Sequence, residues 1–180
     1  MHIFLTGEIK TGKTTLINYV CNEVISKGYK VGGFYSYFDD HREEENRCLY
    51  LNGAHLFQNY DEKQVVVRFT SALQPQVYTQ RFNDFGKLYI RERKKIAHLL
   101  IMDECSFFER QAFDFQHEIL TALNEPIPIL GVVRLGKASW TEQIANHNKV
   151  RLIEVTKENR NALRLELVDY FTAQIQRFPK

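Results

Sequence analysis

The chain has 180 residues, about one domain, and is long enough to bury a core without disulfide or metal staples. Its hydrophobic fraction of 44%, charged fraction of 26% and formal net charge of +2 are those of a globular domain, with no global field to draw in nucleic acid or an anionic membrane. No apolar run reaches the ~18 residues of a membrane span, and the N-terminus lacks the basic region and cleavage site of a signal peptide. The three scattered cysteines, Cys21, Cys48 and Cys105, form no zinc or disulfide pattern and read as free thiols in a reducing cytoplasm.

In chain order, the first element is a short apolar run, His2 to Thr6, read as a strand. Lys13 to Lys27 follows with Leu16, Tyr19, Val20 and Val24 at helical spacing and Gly28 as a stop. Val31 to Tyr37 is the second strand. The stretch from 39 to 83 opens with a charged run over 39–47. It then offers two candidate strands, RCLYLNG and KQVVVRFT, which predict an antiparallel excursion at a sheet edge. A helix is predicted with Asp84 as its cap, carrying Leu88, Glu92 and Ile96. Leu99 to Asp103, Ile127 to Val133 and Arg151 to Val155 are further strands. Helical patterns run over Phe108 to Asn124, Trp140 to His147 and Asn159 to Arg177. Strands alternating with helices predict a single α/β domain with a mostly parallel sheet.

The loop after the first strand reads Gly7-Glu8-Ile9-Lys10-Thr11-Gly12-Lys13-Thr14, matching G-x-x-x-x-G-K-[ST] at every fixed position, with Thr15 next. A triphosphate is dense negative charge, so its cradle must turn backbone N–H groups inward. Gly7 and Gly12 permit the dihedrals this needs. Lys13 is expected on the β- and γ-phosphates and the Thr14 hydroxyl on Mg²⁺, with the helix N-terminus behind them. An apolar strand before the motif and an amphipathic helix after it are the context that confirms it.

Such a loop needs a carboxylate opposite it, and Asp103, at the end of an apolar strand, is the expected second Mg²⁺ ligand. Glu104 and Glu109 are both candidates for orienting or deprotonating an attacking water. Arg134 follows the fourth predicted strand; it reads equally as a γ-phosphate contact and as a solvated strand-end cation. Asn159 and Arg160 would bracket a base, although Asn159 also suits a helix cap. Trp140 and the aromatics at 107, 108, 113 and 115 read as packing. Scattered cations without an aromatic stripe argue against nucleic acid.

Four segments carry a resemblance over nearly the whole chain: FLTGxxxxGKTTL, GFYS in the second strand, MDECSFFE and VTKENRNAL. Together they resemble the THEP1-type nucleoside-triphosphatases, the cancer-related NTPase family. The resemblance implies a RecA-like P-loop α/β sandwich and slow Mg²⁺-dependent hydrolysis of ATP, GTP or other nucleoside triphosphates with loose base preference. The roles of Gly7 to Thr15 and Asp103 carry over, as do Glu104 and Glu109 by position. Two departures stand out. Ser106 replaces the glycine that the family places after D-E-I, where it would crowd the γ-phosphate, and residues 39–83 match poorly. A small-molecule or nucleotide kinase, with residues 39–83 as acceptor site or lid, and a nucleotide-gated binding module with negligible turnover are the alternative readings.

Overall fold

The structure is a computed structural model that describes residues 1–39, 47–56, 58–70, 74–136 and 139–177. Most of the charged run over 39–47 lies outside the described residues. Among those described, eight strands form one sheet: β1 (His2–Thr6), β2 (Val31–Phe38), β3 (Cys48–Gly53), β4 (Val65–Arg68), β5 (Gln76–Val77), β6 (Leu99–Cys105), β7 (Ile129–Val133) and β8 (Val150–Glu154). Their spatial order is β5-β4-β3-β2-β6-β7-β1-β8. The strands from β2 to β8 in that order pair in parallel, and β3, β4 and β5 extend the β2 edge antiparallel. All five predicted parallel strands are present, and the excursion is the three-stranded extension.

The helices are α1 (Lys13–Ser26), α2 (Thr79–Phe85), α3 (Phe113–Ala122), α4 (Ser139–Ala145) and α5 (Arg160–Arg177). They cover both faces of the sheet, which is why the parallel strands are continuous apolar runs. Side chains alternate between two cores. Ile3 and Leu5 of β1 join Leu16, Val20, Leu167 and Phe171 of α1 and α5 on one face. Phe4 joins Phe82, Phe115, Ile119, Trp140 and Ile144 of α2, α3 and α4 on the other. The result is the α/β sandwich expected from the sequence.

Two helices differ from the sequence reading. The helix assigned to Asp84 begins five residues earlier, at Thr79, and continues as a wider π-helical segment over Gly86–Glu92. Asp84 sits inside it and accepts from Gln80 Nε2 at 2.9 Å. The face that packs is Phe82, Gly86, Tyr89 and Ile90, while Leu88 and Ile96 stand about half exposed. Both faces have helical spacing, so periodicity alone chose the wrong one. The helix predicted over Phe108 to Asn124 is broken at Ala112 (φ −90°, ψ 71°) into a 3-10 turn, Phe108–Gln111, and α3.

Phe115 joins these parts. Its ring lies 5.0 Å from that of Phe34 on β2 and 5.5 Å from that of Phe82 on α2. A Cβ on Gly86 would stand 3.0 Å from its Cα. Phe115→Ala is expected to cost about 3–5 kcal/mol, the usual range for emptying a buried aromatic site, read as a lowered urea midpoint with an unchanged slope.

Candidate active site

Because β1, β6, β7 and β8 are parallel, their C-terminal ends open on one edge of the sheet. That edge is where ligands settle in open α/β folds. It gathers residues 7–12 after β1, Asp103 and Glu104 at the end of β6, Arg134 after β7 and residues 155–160 after β8.

Gly7 has φ +119°, and a Cβ on it would stand 2.6 Å from the Val155 carbonyl oxygen. Dihedral and contact both exclude any larger residue. The Val155 N–H in turn donates to Thr6 O at 2.9 Å, so the first and last loops are fastened back to back. Gly12, at φ +99°, is the residue before α1, and its carbonyl accepts from Leu16 N–H at 2.9 Å. Lys10 also has positive φ, 65°. The Thr11 hydroxyl donates to Glu8 O at 3.0 Å. Lys13 Nζ reaches back over the loop to Gly7 O at 2.9 Å and Glu8 O at 2.6 Å. Burial lowers the pKa of that ammonium; the charges of Glu104, Arg134 and Asp103 also act on it.

A cavity of about 340 Å³ lies over the loop, lined by Ile9, Lys10, Gly12, Lys13, Thr14, Thr15, Glu104, Arg134 and Arg160. A second hollow of about 240 Å³, lined by Gly12, Thr15, Leu16, Arg160 and Arg164, adjoins it between α1 and α5. Arg160 is common to both; its Cδ would stand 3.4 Å from a Cβ on Gly12.

Asp103 lies beneath the cavity, 2% exposed. Burial first, and the neighbouring Glu104 second, push its pKa up to about 7 against the pull of the Thr14 hydroxyl and of Lys13. Its Oδ2 is buried without a hydrogen-bond partner. An orphaned carboxylate oxygen beside a hydroxyl fits a hard cation. Among the described residues no group of three or more His, Cys, Asp or Glu side chains gathers to hold a metal, so a cation here would take its other ligands from water and phosphate.

The two glutamates have different surroundings. Glu104 lines the cavity and pairs with Arg134, Oε1 to Nη2 3.1 Å. Its N–H donates to Ser36 Oγ of β2 at 3.0 Å, and Arg134 N–H donates to Cys105 O at 2.9 Å. Glu109 is 2% exposed and does not line the cavity. It accepts from Ser106 N–H at 2.8 Å and from Ser106 Oγ at 3.1 Å. Gln116 Nε2 donates to Glu109 O at 2.6 Å, and Trp140 Nε1 donates to Ser106 O at 2.8 Å. Ser106 is therefore turned into this buried network and does not crowd the cavity.

Asn159 engages the backbone through both atoms of its amide. Oδ1 accepts from Thr156 N–H at 2.9 Å and Nδ2 donates to Glu154 O at 2.8 Å. It shapes the loop that delivers Arg160. Ser36 and Arg164 were not among the sequence candidates. Ser36 lies in the GFYS segment, but its position over β6 comes from the β2–β6 register, which pairs Tyr35 with Asp103.

Burial raises the Glu109 pKa from 4.5 to about 7, with the Ser106 hydrogen bonds opposing the rise. A carboxyl raised on folding contributes stability that is complete below its unfolded value and is lost as pH climbs through its folded value. Glu109→Gln keeps an acceptor for Ser106 and cannot ionise. Its unfolding free energy is expected to gain on that of the unaltered chain as pH rises from 4.5 through about 7, read by denaturant titrations at each pH.

The sequence profile of the family described as NTPase matches residues 2–168. The chain is 26% identical over 98% of both chains to "Nucleoside-triphosphatase THEP1" of Sulfurisphaera tokodaii. It is 28% identical to "Cancer-related nucleoside-triphosphatase" of Homo sapiens, over 93% of this chain and 94% of that one. The crystal structure of THEP1 from Aquifex aeolicus superposes with a TM-score of 0.75 at 20% identity, covering 95% of this chain and 99% of that one. The solution structure of a human cancer-related nucleoside triphosphatase gives 0.63 at 24% identity, covering 99% of both. With the phosphate loop, the acidic strand end and the fold all in place, the chain belongs to the NTPase family.

Proposed function

We propose that the protein hydrolyses nucleoside triphosphates to diphosphate and phosphate with Mg²⁺ and little preference among bases. The observation that carries this reading is Glu104. Among the described residues it is the one carboxylate lining the cavity over the phosphate loop, with Lys13 also in the lining and Arg134 beside it.

The backbone N–H groups of residues 7–14 and the ammonium of Lys13 take the β- and γ-phosphates, once Lys13 leaves the carbonyls of Gly7 and Glu8. Thr14 and Asp103 would hold Mg²⁺. When bound, that ion neutralises charge on the phosphoryl oxygens. Glu104 orients a water toward the γ-phosphorus and accepts its proton. The new P–O bond forms as the bond to the β–γ bridging oxygen breaks, and the diphosphate leaves with that electron pair. Arg134 stabilises charge on the transferring group.

The second hollow suits ribose and base, with the Arg160 guanidinium offering a plane to stack on. Its side chains include no carboxamide or carboxylate, and the nearby Asn159 amide is committed to backbone, so base edges are read loosely. We place the protein in the cytoplasm, in keeping with three buried free cysteines; among the described residues no helix is long and apolar enough to cross a membrane.

The test is phosphate release from ATP, GTP, CTP and UTP with Mg²⁺ and no added acceptor. Release is expected from all four and is abolished by chelation. Lys13→Ala loses both binding and rate. Glu104→Gln keeps binding and loses about 10²–10⁴-fold in kcat, the usual contribution of a positioned base. Full activity in Glu104→Gln, or no release above buffer from the unaltered chain, would overturn the reading.

A further inference from the structure

The two cations assigned to the phosphates already have partners. Lys13 sits on two carbonyls of its own loop, and Arg134 sits on Glu104. The main chains of the second pair are anchored, Glu104 to Ser36 and Arg134 to Cys105. Their side chains are not enclosed: Arg134 is 36% and Glu104 25% exposed, so the pair can part without moving the sheet. A pair this wet is weak, so a dianionic phosphoryl group would outcompete a single carboxylate for the guanidinium.

The cavity also has a direction. Arg160 lies at the Gly12 and Thr15 end, continuous with the second hollow, and it is absent from the Arg134–Glu104 pair. Arg134 and Glu104 line the first cavity and not the second hollow, and their charges bear on the Lys13 ammonium. A nucleotide whose base filled the second hollow would run its phosphates from Arg160 toward Lys13, Glu104 and Arg134.

We infer that Arg134 selects triphosphate over diphosphate by partner exchange: a γ-phosphate draws the guanidinium off Glu104, whereas a diphosphate leaves the pair closed. The same event frees the Glu104 carboxylate only when there is a terminal phosphate to attack. An empty or diphosphate-bound site keeps Glu104 neutralised by its own arginine. This inference rests on the hydrolase reading for the direction in which the nucleotide lies and for the role of Glu104.

The experiment is calorimetric titration with ADP and with a non-hydrolysable ATP analogue, both with Mg²⁺, on the unaltered chain and on Arg134→Ala, Arg134→Gln and Glu104→Gln. Thermal melting checks that each variant is folded. Both arginine variants are expected to lose about tenfold or more in analogue affinity and to stay within about twofold for ADP, as expected for a charge-assisted contact made to one ligand alone. Glu104→Gln, which has no ion pair to break, is expected to tighten analogue binding by up to about fivefold, the equivalent of ~1 kcal/mol, with ADP unchanged. Loss of both ligands by the same factor in the arginine variants, loss of neither, or equal tightening of both in Glu104→Gln overturns the exchange. Because binding is read without turnover, these outcomes stand apart from whether phosphate is released.

Discussion

The site depends on the contact between Gly7 and Val155. With no Cβ, the phosphate loop lies directly on the carbonyl of the last strand's end, and the Val155 N–H returns a hydrogen bond to Thr6. This fastening sets the loop's first turn. It also brings the segment after β8 against the loop, so that Arg160 reaches Gly12 and Thr15. The two cavities share a wall because two loops distant in the chain are joined backbone to backbone. Lys13 spans the same loop, donating to the carbonyls of Gly7 and Glu8.

Electrostatics then divides the acidic segment into three kinds of carboxyl group. Asp103 is buried with one oxygen unsatisfied, an arrangement that favours a cation or a proton. Glu104 is partly exposed and compensated by Arg134. Glu109 is buried and satisfied by Ser106, so it holds the turn and takes no direct part in the cavity. Ser106 belongs to this third environment. Its hydroxyl adds a second donor to Glu109, and its carbonyl receives the indole N–H of Trp140. A serine that looked like an obstruction to phosphate is part of the support for the turn.

Much of this was legible in the chain. Five apolar runs separated by helical periods specified the parallel strands, because a strand covered on both faces has to be apolar along its length. The phosphate loop was legible because its fixed residues answer to backbone dihedrals and charge, which are local properties. The reading failed on the helix around Asp84. There, two apolar stripes were available, and the choice between Phe82 with Ile90 and Leu88 with Ile96 was made by the α3 surface it packs on. It also overran Ala112, where the helical pattern continues through a break in the backbone.

The sequence by itself determined the α/β pattern, the glycine-bounded loop after β1 and the presence of acids after β6, since each is written in spacing and residue type within a few positions. Only the tertiary structure decided which acid faces the loop. Glu104 and Glu109 are five residues apart and chemically alike. One is turned to Arg134 by the ends of β6 and β7, and the other into a pocket closed by Ser106, Gln116 and Trp140. That difference is one of burial and partner, set by elements distant in the chain, and no local pattern carries it. It narrows a phosphate cradle with two candidate acids to one carboxylate facing the cradle.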